Sequence, residues 1–429
     1  MKFLLVFVGV VCLLLGRFSG KNWRTPAAIY SIMWVFFCVV PSCLLWTNLS
    51  WNYYGLLWIE LSSIFFSIGQ AIGCSNGGRV AINSQNKGVK TNISYDFNTD
   101  FCRVIIIGMF VLCGIHIIKG IHAKGFSLAV FVDLDKLLSI NEVSAYNRYY
   151  GDNSTSLVNQ LFLVLEYCLP LVGGFCFSFF SLRKEKLLCV LSLVPVFLSL
   201  IISNAKAGFI ESVMGFAIMY VLGGYIATGK RKKVSLKIVK RLVVISLLFL
   251  TVLFVSMCLR IGSLNSNTVE IVRDKFLIYA FGHMKAFDEW FSLERENLEF
   301  TFGTMTYNWI FNLLGIVERK QGVYGLASSI HSNVYTFFRG IISDFGSIGG
   351  IVYIFIRGVV AGLLYKRIDN LRKISPLCVT LEATTYIFFM YGFIISPWTY
   401  STFVASYFLF VVVLFLCNLR EREVDCFEV

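Results

Sequence analysis

Long apolar runs separated by short connectors constrain this chain more than any other feature. A helix that spans a bilayer needs about 20 mostly apolar residues. Runs of this kind lie at 2–15, 27–46, 53–72, 104–119, 157–182, 187–203, 208–227, 242–258, 341–364, 377–396 and 402–417. Only 15% of the 429 residues are charged and 57% are hydrophobic, whereas a soluble domain carries about 25% charged residues. That much apolar surface cannot be hidden inside a water-soluble globule of this size. The expected fold class is an all-α polytopic integral membrane protein, a single membrane domain over residues 1–429 with about eleven transmembrane helices.

The connectors set the orientation. Basic residues at Arg17/Lys21/Arg24, Arg79/Lys87/Lys90, Arg183/Lys184/Lys186, 230–241, Lys366/Arg367/Arg372/Lys373 and Arg420/Arg422 fall on alternate connectors. By the positive-inside rule these face the cytoplasm, which leaves the N-terminus outside and the C-terminus inside. The net charge of +13 therefore reads as a topology signal, and no nucleic-acid role is expected. The first residues resemble a signal peptide, but no small-x-small site follows and three basic residues do, so a first span is expected. Two outside segments exceed a tight turn, 121–156 and 259–340. The second holds eight basic and eight acidic residues with many aromatics, and its middle reads as amphipathic helices lying on the membrane surface.

The thirteen cysteines avoid both long loops and form no C-x-x-C or zinc-spaced cluster, so they read as small buried apolar side chains and no metal is expected. Asp133-Leu134-Asp135 spells a metal-holding D-x-D but sits in an apolar amphipathic stretch with no nucleotide-binding domain around it. Asp344-Phe345-Gly346 spells a kinase motif without the glycine-rich or catalytic loops, which excludes a kinase.

Charge at membrane depth is costly and persists where it lines a cavity or meets a charged ligand. Lys206, Arg260, Arg339, Asp344 and Arg148 all stand at the outer ends of expected spans. Converging, they form a basic pocket suited to a pyrophosphate, because arginine forks match phosphate oxygens. Arg339 and Asp344 are expected to face one polar cavity. Of the four histidines, His283 and His331 lie in the large loop, where a neutral imidazole can take a proton from a sugar hydroxyl.

Three stretches of that loop, YAFGHMKAFDEW (279–290), FGTMTYNWI (302–310) and SNVYTFFRGIISDFGSIGG (332–350), resemble the Wzy family of oligosaccharide repeat-unit polymerases. The resemblance rests on Gly282-His283, Phe287, Trp290, the Gly303-Thr304 turn, Asn333-Val334-Tyr335-Thr336, and Arg339 with Gly350 at R-x(10)-G spacing. Beyond some seventy residues the match is one of hydropathy. Lys206 stands where the family is expected to carry arginine, and no second R-x(10)-G surrounds Arg148. The resemblance implies a GT-C-like, metal-independent glycosyltransferase of the bacterial inner membrane with its large loop and active site facing the periplasm. It needs no cofactor. Its substrates are undecaprenyl-pyrophosphate-linked oligosaccharides, and its partners are membrane lipid, a chain-length-determinant co-polymerase and the flippase.

On this reading Arg260, Arg339, Lys206, Arg148, Asn333 and Tyr335 bind the pyrophosphate and substrate. His283, His331 or Asp344 supplies the base, and the residues do not say which. An O-antigen ligase shares a late outside loop with Arg and His, and a lipid-linked oligosaccharide flippase would carry charge through the bilayer centre.

Overall fold

A computed structural model describes residues 1–79, 94–150, 156–203, 206–228, 250–258, 266–295, 299–318, 334–369, 374–417 and 420–422. Among the described residues, apart from three-residue strands at Ser94–Asp96 and Arg420–Arg422, the regular structure is helical. Fifteen helices carry the argument. They are α1 (Lys2–Phe18), α2 (Pro26–Val39), α3 (Tyr54–Arg79), α4 (Thr99–Ala123), α5 (Leu134–Tyr150), α6 (Leu157–Cys176), α7 (Arg183–Leu191), α8 (Val194–Ser203), α9 (Lys206–Thr228), α10 (Ser266–Leu277), α11 (His283–Glu294), α12 (Asn308–Leu313), α13 (Phe337–Asp369), α14 (Pro376–Tyr391) and α15 (Ser401–Leu416).

Among the described residues, seven helical stretches are long and apolar enough to cross a membrane: Pro26–Leu45, Tyr54–Ser75, Thr99–Ala123, Leu157–Cys176, Arg183–Ser203, Lys206–Thr228 and Phe337–Ile368. These stretches make the chain a helical membrane protein. Three further expected spans are helices of 17, 16 and 16 residues, α1, α14 and α15. At 1.5 Å per residue they reach about 24–26 Å, somewhat less than a typical hydrocarbon core. The expected span at 242–258 is described only over 250–258, which is helical.

The chain divides into two compact units, one of residues Met1–Ile93, Leu277–Val404 and Glu421–Val429, the other of Ser94–Phe276 and Ala405–Arg420. In the first unit α3 and α13 form the most extensive helix pair. Their contact is built on two G-x-x-x-G repeats, Gly69/Gly73 and Gly358/Gly362. A Cβ at Gly69 would stand 2.3 Å from Phe355 O, and one at Gly358 would stand 2.3 Å from Phe66 O. Small residues let backbones approach where lipid offers no hydrophobic drive to association. The second unit uses the same device between α6 and α9. A Cβ at Gly174 would lie 2.3 Å from Phe216 O, and one at Gly223 the same distance from Phe175 O.

In that second unit the amphipathic stretch after α4 is helical, as its pattern predicts. Asp133 precedes α5 and its Oδ1 accepts from the N–H of Asp135 (3.1 Å) and Lys136 (3.3 Å). The first aspartate of the D-x-D spelling is therefore a helix N-cap. In the first unit the middle of the large loop is helical and packed against its neighbours. Helix α11 follows a π segment at Ile278–Gly282 and buries His283, Met284, Lys285, Ala286, Phe287, Asp288, Trp290 and Phe291. It packs against α3 in the first unit. Its apolar residues Met284, Ala286, Phe287, Trp290, Phe291 and Leu293 fall on one half of the helix, and Lys285, Asp288, Glu289 and Ser292 on the other.

Candidate functional site

The site lies in the first unit, where α11 meets the N-terminal arm of α13. His283, Phe287, Trp290 and Glu294 recur at i, i+4, i+7 and i+11 and share one face of α11. At one end of this face the Arg339 guanidinium lies 5.1 Å from the Trp290 ring centroid and 4.2 Å from that of Tyr335. Its Nη2 stands 3.9 Å from Glu294 Oε2. The Arg339 side chain is 13% exposed and Glu294 is 46% exposed, so this long ion pair contributes little. The two rings hold the plane of the guanidinium by cation–π attraction. In the middle of the face, Phe287 and Trp58 both pack on Phe338, which in turn packs on Trp34.

At the far end His283 is 1% exposed. Its ring meets Phe37 edge-on at 5.0 Å and Phe393 at 5.7 Å. Neither ring nitrogen has a hydrogen-bond partner. Burial pushes its pKa down to about 3, so the imidazole is neutral at physiological pH. Seven residues separate it from Trp290, roughly 10 Å along the axis, so His283 is not part of the arginine clamp.

Helix α13 breaks at Gly346, where φ is +72° and ψ is 173°. The break exposes backbone groups that the surroundings then satisfy. Ser343 O accepts the Thr301 N–H at 3.0 Å and Ser347 O accepts Trp58 Nε1–H at 3.1 Å. The Asp344 carboxylate, 1% exposed, accepts the N–H of Met305 (3.0 Å), the N–H of Thr306 (2.8 Å) and the Thr301 hydroxyl. It thereby fixes the turn 301–306, in which Phe302 and Gly303 have positive φ. The expectation that Arg339 and Asp344 face one cavity is corrected here. Five residues on a helix advance about 140° beyond a full turn, so Arg339 points to α11 while Asp344 points to the 301–306 turn.

Tyr335 joins the clamp. Lys206 opens α9, in the second unit. Arg148 lies in α5, also in the second unit, with its side chain outside what is described. Arg260, His331 and Asn333 lie outside the described residues.

Two buried charges in α11 escaped the sequence reading. Asp288 accepts the N–H of Asn52 (2.9 Å), Tyr53 (3.0 Å) and Gly55 (3.0 Å) and so caps the N-terminus of α3 from another helix. Burial pushes its carboxyl up from the ordinary range while those three N–H donors and Lys285 work against it. Lys285, 2% exposed, pairs with Glu289 at 2.8 Å, donates to Ser50 O and lies 5.3 Å from the Trp51 ring. The signal was present in Lys285-Ala-Phe-Asp288-Glu289, three charges within an otherwise apolar helix. Such charges must find partners once the helix is buried.

Among the described residues, the buried carboxylates of expected spans also include Glu60 in α3, Glu166 in α6, Glu211 in α9 and Glu382 in α14. Glu211 Oε1 accepts the Tyr407 hydroxyl at 2.8 Å, whereas neither Glu60 oxygen has a hydrogen-bond partner. No family model, curated protein or solved structure matches this chain.

Proposed function

We propose that this protein is a polysaccharide polymerase of the Wzy type. It transfers a growing glycan from its undecaprenyl pyrophosphate to the terminal sugar of a new lipid-linked repeat unit at the periplasmic face of a bacterial inner membrane. The reading includes about eleven spans in a GT-C-like arrangement, with the three sub-length helices and 242–258 completing the count. Its support is the sequence resemblance over 279–350 together with one observation, the Arg339 guanidinium set against the rings of Trp290 and Tyr335.

With the two rings beside it, the guanidinium keeps its N–H donors as the part that grips an oxyanion. In the reaction an acceptor hydroxyl oxygen attacks the anomeric carbon of the donor sugar and the bond to the pyrophosphate oxygen breaks. Charge grows on the leaving group, and a fixed cation stabilises it most in the transition state. Asp344 acts as a positioning residue through the 301–306 turn. Of the candidate bases His283, His331 and Asp344, the last is engaged in holding the turn, which leaves the histidines; His283 is neutral, the form that accepts a proton, though it lies away from the clamp.

Deletion of the gene is expected to leave surface core bearing a single repeat unit, because lengthening needs a polymerase and transfer of one unit does not. Bare core instead would replace the reading with an O-antigen ligase or a flippase. The flippase reading draws on one observation, the buried intramembrane carboxylates Glu60, Glu166 and Glu211.

A further inference from the structure

Two residues beyond the turn that Asp344 holds, the chain forms a small polar pocket. Its lining comes from α12, through Asn308, Trp309 and Asn312, and from the segment leading into α15, through Thr399, Tyr400, Ser401 and Thr402. The enclosed space is about 10 Å³, room for about one water or one hydroxyl group. Asn308 and Thr399 are 1% and 6% exposed, and Trp309 and Tyr400 are half-buried at the rim.

The walls hold hydrogen-bonding groups that the protein does not use fully. Thr399 Oγ1 is buried and has no hydrogen-bond partner. The Asn308 amide nitrogen reaches Thr304 O only at 3.4 Å. Buried polar groups in folded proteins are almost always paired, so an unpaired hydroxyl facing a pocket points to a partner that arrives from outside. The lining carries neutral amides and hydroxyls with two aromatic rings and no charged side chain.

We infer that this pocket is a subsite for a neutral sugar. One ring hydroxyl or hydroxymethyl group enters among Asn308, Thr399 and Thr402, while an apolar face of the pyranose lies against Trp309 or Tyr400. A hydroxyl both donates and accepts, which suits a wall of amides and hydroxyls. Aromatic side chains present apolar faces with large contact area. A phosphate or a uronate has no cation here to offset its desolvation, so the anionic part of a substrate belongs at Arg339 and the neutral part here. Beside the pocket, the Thr306 N–H goes to Asp344 at 2.8 Å and the Thr306 carbonyl accepts the Ser396 hydroxyl at 2.8 Å, which ties the turn before α12 to the segment before α15. The subsite shares with the proposed function the premise that the chain handles glycans, but it requires no transfer reaction.

The test is direct binding to the full-length protein, purified in an amine-oxide detergent so that no sugar headgroup competes. Saturation-transfer NMR is read with methyl α-glucoside, methyl α-galactoside and N-acetylglucosamine as neutral probes and glucuronate as the charged one. At least one neutral sugar is expected to give transfer and glucuronate none. Thr399→Val keeps the shape of the side chain and removes the unpaired hydroxyl. Removing one hydrogen bond to the sugar is expected to weaken affinity about fivefold, with the melting temperature unchanged. Trp309→Ala is expected to weaken it at least as much. No transfer from any neutral sugar would show that the pocket holds water only, and equal transfer from wild type and both variants would place sugar binding elsewhere. Either result overturns the subsite. Binding in a protein whose deletion leaves normal-length polysaccharide would keep the subsite and remove the polymerase, and a shortened ladder without binding would do the reverse.

Discussion

Gly346→Ala is the sharpest test of the architecture. At φ +72° and ψ 173° the residue occupies a region that is essentially glycine-only, and an L side chain there costs roughly 1–3 kcal/mol. The added Cβ would also stand 3.0 Å from Phe300 Cε1, but Phe300 is 55% exposed and can swing aside, so this contact adds little. The chain has one alternative, to close the break and continue α13 as an unbroken helix. That route withdraws Ser343 O from the Thr301 N–H and Ser347 O from Trp58. Each such bond contributes about 1 kcal/mol net, so the cheaper of the two routes costs about 1–2 kcal/mol. At 2–4 °C per kcal/mol for a unit of some two hundred residues, the apparent melting temperature of the purified protein should fall by about 2–8 °C. Gly108→Ala on α4, where a Cβ meets nothing within 4 Å, serves as the control and should lose nothing. A Gly346→Ala protein melting within about 1 °C of wild type would mean that the break is not where the strain is held.

Arg339→Ala should slow polymer extension by about 10²-fold or more, and Arg339→Lys should be nearly as poor because it keeps charge but loses the stacked plane. Arg295→Ala, whose guanidinium lies 5.0 Å from Phe291 at the exposed end of α11, should leave the polysaccharide ladder unchanged at matched membrane expression. For His283 the pKa is depressed to about 3, so between about pH 6.5 and pH 3 the unfolded chain binds the extra proton and stability falls as pH falls. By pH 5 the loss is about 2 kcal/mol, and His283→Phe should melt with visibly less acid sensitivity than wild type; equal sensitivity would refute the buried neutral imidazole. Glu60→Gln and Glu211→Gln should support a normal ladder, whereas loss of all surface glycan in either would favour transport over polymerisation.

The helices were legible in the sequence because span length and apolarity are summed over about twenty residues, and single exceptions do not spoil the sum. The same summing hid Glu211, a lone carboxylate in an apolar run, whereas Glu60 and Glu166 stand out in the sequence as charges within expected spans. The helix packing was legible in principle, since Gly69-x-x-x-Gly73 and Gly358-x-x-x-Gly362 stand in the sequence as small-residue repeats. What a repeat does not say is which other repeat it meets, and that requires the fold. Arg339 was found because charge at a span end is conspicuous, and Tyr335 because the family-like string contains it. Glu294, the weak anion beside Arg339, was missed because its nearness depends on α11 packing against α13. Asp344 was read as sharing a cavity with Arg339 because five residues is a short distance along the chain, but helical geometry sends the two side chains apart.

The intramembrane carboxylates bear on the choice between polymerisation and transport through what they touch. A residue that hands charge across a bilayer must face a path that a solute or water can occupy. A Cβ at Gly9 would stand 3.0 Å from Glu60 Oε1 and 3.1 Å from a Val35 methyl, so this carboxyl is wedged among three packed helices. Glu211 accepts the hydroxyl of Tyr407 at 2.8 Å and so ties α9 to α15 within the second unit. Both placements are those of groups that fix helix register. Arg339 stands near the N-terminal end of α13, outside the middle of that span, with the half-exposed Glu294 carboxylate 3.9 Å from its guanidinium. On the proposed polymerase reading a pyrophosphate competes with that weak contact at small cost, whereas on the transport reading a cation at the end of a span has no such part.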